Sequence, residues 1–397
     1  MASNPEATSA SPFERALERR EVVICVGSGG VGKTTSSAVI GLHAAMAGRR
    51  VLVMTIDPAR RLANSLGIEA LGSEMQQIPL DRFADLGLEP RGELWAMMLD
   101  MKESFDRLVQ RYAPDDTTRQ DILDNRFYHY FSTSLAGTQE YAASERLFEI
   151  VESEDFDLIV LDTPPTTHAL DFLEAPQRLT DAVSSRALQW LYKPGVLSGR
   201  PGLGIVSVGT TYVMRTLGKF TGGELLNDLG VFLKTFSALF EGFEERARAV
   251  QKLLKGPRTS FVVVTAPDSL TVEEALYFFE KLDRDALNID AFIVNRVHPR
   301  WVGPEALAQP ASDLAQALTD GALPPLPDEV DAPTLAAHLL ENASQFELRA
   351  SQDAASLELL SRRLPDDLPI LAVPYFNRDI HSLAGLNQAR TALFGSL

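Results

Sequence analysis

Six stretches of strand length are β-branched and almost continuously apolar: EVVICVG (21–27), VLVMTID (51–57), DLIVLDT (157–163), SFVVVTA (260–266), AFIVNRV (291–297) and PILAVPY (369–375). A strand with one wet face alternates apolar and polar residues, whereas a strand covered on both faces has no need to. These runs therefore predict a parallel sheet between two layers of helices, with LWAMMLD (94–100) as a weaker seventh strand. Intervening segments carry apolar residues at helical spacing, as in KTTSSAVIGLHAAMAG (33–48), which Gly48 closes. The alternation predicts an α/β fold: a doubly wound, mostly parallel sheet of about seven or eight strands.

Two segments are too long to be simple crossovers. Residues 101–155 and 168–255 read as helical insertions, with DMKESFDRLVQRY and EYAASERLFEIVES amphipathic in the first. Within the second, Phe232, Phe236, Leu239, Phe240 and Phe243 recur at helical spacing. Such a face suits a packed core or subunit interface, or else a groove for hydrophobic client segments. The glycine-rich, apolar stretch 195–213 receives no assigned element, and 303–367 is proline-rich and acidic before turning helical. The organisation predicted is a disordered tail, 1–20, ending in one helical turn, then a single domain over 21–397.

Across 397 residues, 37 basic and 54 acidic side chains leave a net charge of −17, which argues against nucleic acid and anionic lipid as default partners. One cysteine rules out a disulfide framework or a multi-thiolate metal site within the chain. No zinc and no metalloid site are expected. There is no apolar stretch long enough to span a membrane and no signal-peptide core near Met1, so the expectation is a cytoplasmic protein.

The chemistry centres on GSGGVGKTT: Gly27, Ser28, Gly29, Gly30, Val31, Gly32, Lys33, Thr34 and Thr35. It follows a predicted strand and opens a predicted helix, the setting in which G-x-x-x-x-G-K-[ST] cradles phosphates. Backbone N–H groups and the helix N-terminus attract the anion. Lys33 reaches the β- and γ-phosphates of a nucleotide, and the Thr34 hydroxyl ligates Mg²⁺. Asp162, closing one strand, is placed to hold the same Mg²⁺, through water. Asp57, closing another and followed by PARR, is placed to orient the attacking water. The alternative for both carboxylates is that they cap the following helix.

With these pieces in order, the chain resembles the ArsA family of phosphate-loop ATPases, which includes the arsenite-pump ATPase and the eukaryotic ATPase that targets tail-anchored membrane proteins. GSGGVGKTT is similar to the family's GKGGVGKTT, DPARR to its first switch, and DTPPTTHAL (162–170) to its second. IVNRV and AVPYF fall where the family contacts adenine, which implies adenine-side roles for Asn295 and Pro374. The resemblance implies a SIMIBI-type phosphate-loop fold and a dimer whose two ATP molecules face each other. Hydrolysis would then change the shape of the helical insertions, with Pro164 through His168 transmitting the change.

The family's loop carries a lysine where this chain has Ser28, and that lysine serves the partner's nucleotide. Three readings follow. The chain pairs with an ArsA-like paralogue that retains the lysine, or forms a homodimer using another cation such as Arg60 or Arg61, or binds ATP with little turnover. Of the family's subunits, the chain looks like the GSGGVGKT type. The function expected is an ATPase that drives a partner or client. The alternatives are an ATP-gated targeting factor for hydrophobic or tail-anchored membrane-protein segments, and a weakly active regulatory subunit of a heterodimer.

Overall fold

The computed structural model describes residues 11–56, 61–68, 70–134, 138–164, 232, 235, 239–320, 326–327 and 329–395. In chain order the strands are β1 Val22–Val26, β2 Arg50–Thr55, β3 Gln76–Gln77, β4 Glu93–Met98, β5 Leu158–Asp162, β6 Thr259–Thr265, β7 Ile289–Val297 and β8 Ile370–Pro374. They make one sheet in the order β3-β4-β2-β5-β1-β6-β7-β8. Every neighbouring pair is parallel except β3 with β4. All seven expected strands are present. The additional β3 is two exposed glutamines held by backbone pairing, which leaves no hydrophobic period to read.

Side chains alternate between two cores, one on each face of the sheet. Val22, Ile24 and Val26 of β1 enter one, and Val23 and Cys25 the other. The second core is covered by α1 Pro12–Leu17, α2 Lys33–Met46, α3 Arg61–Leu66 and, from the far end of the chain, α11 Leu383–Phe394. The first core is covered by α7 Thr138–Ser153, α8 Phe240–Lys255, α9 Ser269–Arg284 and α10 Ala332–Arg363. This two-sided cover is why the inner strands read as unbroken apolar runs.

The insertion at 101–155 is helical, as its periodicity predicts: α4 Met101–Tyr112, α5 Asp116–Leu123, α6 Arg126–Ser134 and α7. These helices enclose a separate core around Phe105, Tyr128 and Tyr141, into which Phe232 and Leu239 also pack. From α8, the buried Arg246 guanidinium joins Glu145 and Glu152 of α7 and lies 4.1 Å from the Phe148 ring. Burial pushes the Glu145 carboxyl up to about 7. The segments 165–231 and 236–238, including 195–213, Phe236 and His168, lie outside the described residues. So do the side chains of Phe240 and Phe243.

Within residues 1–20, expected to be a disordered tail ending in one helical turn, the described residues from Ser11 on hold a capped helix. Ser11 and Glu14 form a reciprocal capping box that starts α1, and Phe13 and Leu17 are buried. Phe13 stacks on Phe394 of α11 at 5.7 Å, and Phe394 stacks in turn on His43 of α2 at 3.9 Å. Two apolar residues four apart carry too little periodicity to announce more than the single turn expected there. Its stability comes from the distant ring that covers it. Among the described residues, no helix is long and apolar enough to cross a membrane.

Burial, with Arg390 nearby, lowers the His43 imidazole to about 4, against a smaller opposing pull from Glu14. The neutral form is thus the folded form. Its stabilising contribution is complete above the unfolded value of about 6.5 and is lost as pH falls from there toward 4. Urea unfolding at pH 7.5 and 5 should show ~2 kcal/mol more acid-induced loss in the natural chain than in His43→Phe. Equal losses would mean that His43 titrates normally in the folded chain.

Candidate functional site

The site is built on the carboxyl edge of three adjacent strands. β1 ends at Val26, the loop 27–32 turns back over the edge, and α2 begins at Lys33. Gly32 caps that helix in the left-handed region, at φ +101°, and offers no side chain to its first turn. The first-turn N–H groups are therefore left to an external acceptor, as an anion site requires. Gly27 (φ +150°) lies so close to β6 that a Cβ there would stand 2.0 Å from the Val264 carbonyl oxygen. The loop is thus pressed onto the sheet with no space for a side chain.

Lys33 is buried, and its ammonium donates to the carbonyl oxygens of Gly27 (2.9 Å) and Ser28 (2.8 Å). It curls over the loop it follows, within the concavity where phosphate oxygens sit in loops of this kind. Beneath the loop, Asp162 is fully buried at the end of β5. Its Oδ2 accepts from the Thr34 hydroxyl at 2.7 Å and the Thr55 hydroxyl at 2.9 Å. Parallel register sets this meeting, because Asp162 pairs with Cys25 of β1 on one side and Thr55 of β2 on the other. Next in the chain, the Thr163 hydroxyl donates to the Cys25 carbonyl at 2.7 Å, closing the seam. The Asp162 side chain is engaged with two neighbouring elements, α2 and β2. Hydroxyl and carboxylate oxygens at this spacing suit Mg²⁺, a hard cation that takes one or two carboxylates together with substrate phosphates.

A second wall comes from β7 and β8. Their pairing slips between Val294 and Val297, and the slip puts Arg296 at φ +64°. It also turns Asn295 toward the loop, where Nδ2 donates to the Val31 carbonyl at 2.9 Å and Oδ1 accepts from the Arg296 N–H at 3.0 Å. Between these walls lies a cavity of about 550 Å³ lined by Gly30, Gly32, Lys33, Thr34, Thr35, Asn295 and Pro374, among others. That volume suits a nucleotide-sized ligand. Sequence reasoning missed Asn64, Arg296, Tyr375, Arg378 and His381, which also line it. The available signal was position, since Arg296 lies near the end of β7 and the others beyond strand ends, on the edge where open α/β sheets bind ligands. Asp57 and Arg60 lie outside the described residues, while Arg61 lines the cavity.

Ser28 does not line the cavity. It is buried, and its hydroxyl donates to the Glu274 carboxylate of α9. Nothing in the local sequence points to this contact, which spans 246 positions.

Comparison with known proteins agrees with this geometry. Residues 20–305 match the family described as anion-transporting ATPase, which is most of the chain. The chain belongs to that family. Among its relatives is the putative arsenical pump-driving ATPase 1 of Aquifex aeolicus, 26% identical over 289 residues, 71% of this chain and 64% of that protein. The chain thus spans less than two thirds of that relative. The protein named ATPase get3 of Aspergillus terreus is 27% identical over 272 residues, covering 68% of this chain and 71% of its own length. Its namesake in Schizosaccharomyces pombe is 25% identical over 303 residues, covering 75% and 80%.

The loop geometry separates two of its glycines. Gly27→Ala must displace the β6 backbone and should cost ~2–4 kcal/mol in urea unfolding. Gly30→Ala has open space and only its φ of +78° to oppose it, so it should cost ~1–2 kcal/mol. Equal costs would show that the loop is not pressed against β6.

Proposed function

We propose that the chain binds and hydrolyses MgATP at this loop as one subunit of a dimer whose other subunit supplies a cation that Ser28 cannot. The observation that carries the reading is the Thr34–Asp162 contact beneath a glycine loop holding Lys33. Loop N–H groups and Lys33 hold the β- and γ-phosphates, Lys33 exchanging two carbonyl partners for charged oxygens. That exchange strengthens each hydrogen bond, since ionised acceptors bind about twice as strongly. Thr34 and Asp162 hold Mg²⁺, whose charge offsets that of the phosphate oxygens. Asp57 orients the attacking water and accepts its proton in part. Asn295 and Pro374 line the adenine side, with Asn295 tying that side to the loop through Val31.

Coupling to the helical insertions is part of the proposal, since their core is distinct from the two sheet cores and can shift against them. Phe232 and Leu239 are buried inside it, which favours packing over client capture for these two residues. An arsenical function of the kind named for the Aquifex relative has little to use here. Cys25 is fully buried in β1, and desolvation pushes its thiol up to about 12, away from the thiolate a metalloid would need. A targeting role for hydrophobic segments remains the second reading, resting on the family resemblance.

Lys33→Ala should weaken MgATP binding by ~10²–10³-fold, the loss of charge-assisted contacts to two phosphates. Asp57→Asn should leave binding within ~3-fold and lower turnover ~10²–10⁴-fold. Nucleotide titration and phosphate release distinguish the two, and normal turnover by Asp57→Asn would remove its water-orienting role. Turnover of the chain alone should be weak and should rise on addition of a GKGGVGKT subunit. Robust turnover by the chain alone would overturn the need for a second kind of subunit.

A further inference from the structure

Glu274 is an exposed carboxylate in contact with the second residue of a phosphate-binding loop. That is an expensive place for a negative charge, because it repels the polyanion the loop attracts. Among the described residues, no basic side chain pairs with it, and its hydrogen-bond partner is the neutral Ser28 hydroxyl. On α9 the neighbouring charge is also acidic, Glu273. Lys281 lies two turns away and over the Tyr277 ring at 5.2 Å. Leu270 and Tyr277, one turn before and one turn after Glu274, are 68% and 53% exposed. The helix therefore presents an unneutralised carboxylate between two apolar side chains, at the lip of the loop.

We propose that this face of α9 receives a cationic side chain from a different subunit. Glu274 is the receiving carboxylate, Leu270 and Tyr277 form the apolar rim, and Ser28 holds the carboxylate against the loop. The proposal rests on the dimeric reading above, in which two phosphate loops face each other. Under that reading a second copy of this chain is the wrong occupant. A two-fold interface repeats one patch on both subunits, so a second copy adds another such carboxylate, with its repulsion, and no lysine at position 28. A subunit presenting lysine or arginine replaces that repulsion with a charge-assisted contact beside the phosphates. Glu274 is thus a positioning residue that aims the partner's cation, and it selects a heteromeric partner over a second copy.

The test uses this chain in both roles. The donor chain carries Ser28→Lys with Glu274→Gln, so that its new lysine has no carboxylate of its own to bind. It is mixed with the natural chain, with Glu274→Gln, or with Glu274→Asp, in MgATP at low and high salt. Thermal unfolding first checks that every chain is folded. Donor plus natural chain should associate and turn over at least ~10-fold faster than the natural chain alone, with association weakening at high salt. Glu274→Gln in the acceptor should remove most of the gain, and Glu274→Asp should keep part of it. An equal gain with Glu274→Gln would overturn the role of Glu274 and leave the need for a partner's cation standing. If neither the donor chain nor a natural GKGGVGKT subunit produced a gain with any acceptor, the dimeric reading itself would fail.

Discussion

The buried contact of Asp162 with Thr34 and Thr55 is the interaction on which the site depends. A carboxylate without solvent access is costly unless its oxygens are satisfied, and here two hydroxyls from two other elements satisfy one of them. The arrangement is available only where β5 lies between β1 and β2 with all three strands parallel. Strand order, register and the phase of the loop are therefore bound together. A slip of one residue in β5 would turn Asp162 into the opposite core and separate it from Thr34.

The same constraint explains the pressure on the glycines. The loop must lie flat against β6 on one side and Asn295 on the other. A Cβ at Gly27 would meet the Val264 carbonyl oxygen, and one at Gly32 would stand 2.1 Å from Asn295 Nδ2. The bulge in β7 completes the wall by turning Asn295 onto Val31, at the expense of a non-glycine residue, Arg296, in the left-handed region. Strain at a ligand-facing strand end accords with a site whose backbone is set by what it must contact.

Around this edge, covalent order and spatial order diverge. Phe394, near the far end of the chain, packs between Phe13 and His43, so the first and last described helices share one core. This core lies under α2, the helix that carries Lys33 and Thr34. The neutral state of His43 and the seating of the phosphate loop's helix are thus parts of one packing problem.

Local pattern alone pointed to the parallel sheet, the loop at 27–35 and a carboxylate at a later strand end near Thr34. Each of these is a short-range signal: continuous apolar runs for two-sided burial, glycines before Lys-Thr for a phosphate turn, an acid closing a strand. Tertiary structure decided what required distant segments to meet. The capped helix at 12–17 depends on Phe394, the aim of Asn295 on a register slip between β7 and β8, and the partner of Ser28 on a helix 246 positions away. Read by itself, Ser28 is a missing lysine. Folded, it is the tether of an acidic group beside the phosphate loop, because the turn of α9 after β6 brings Glu274 to the place a local reading leaves empty.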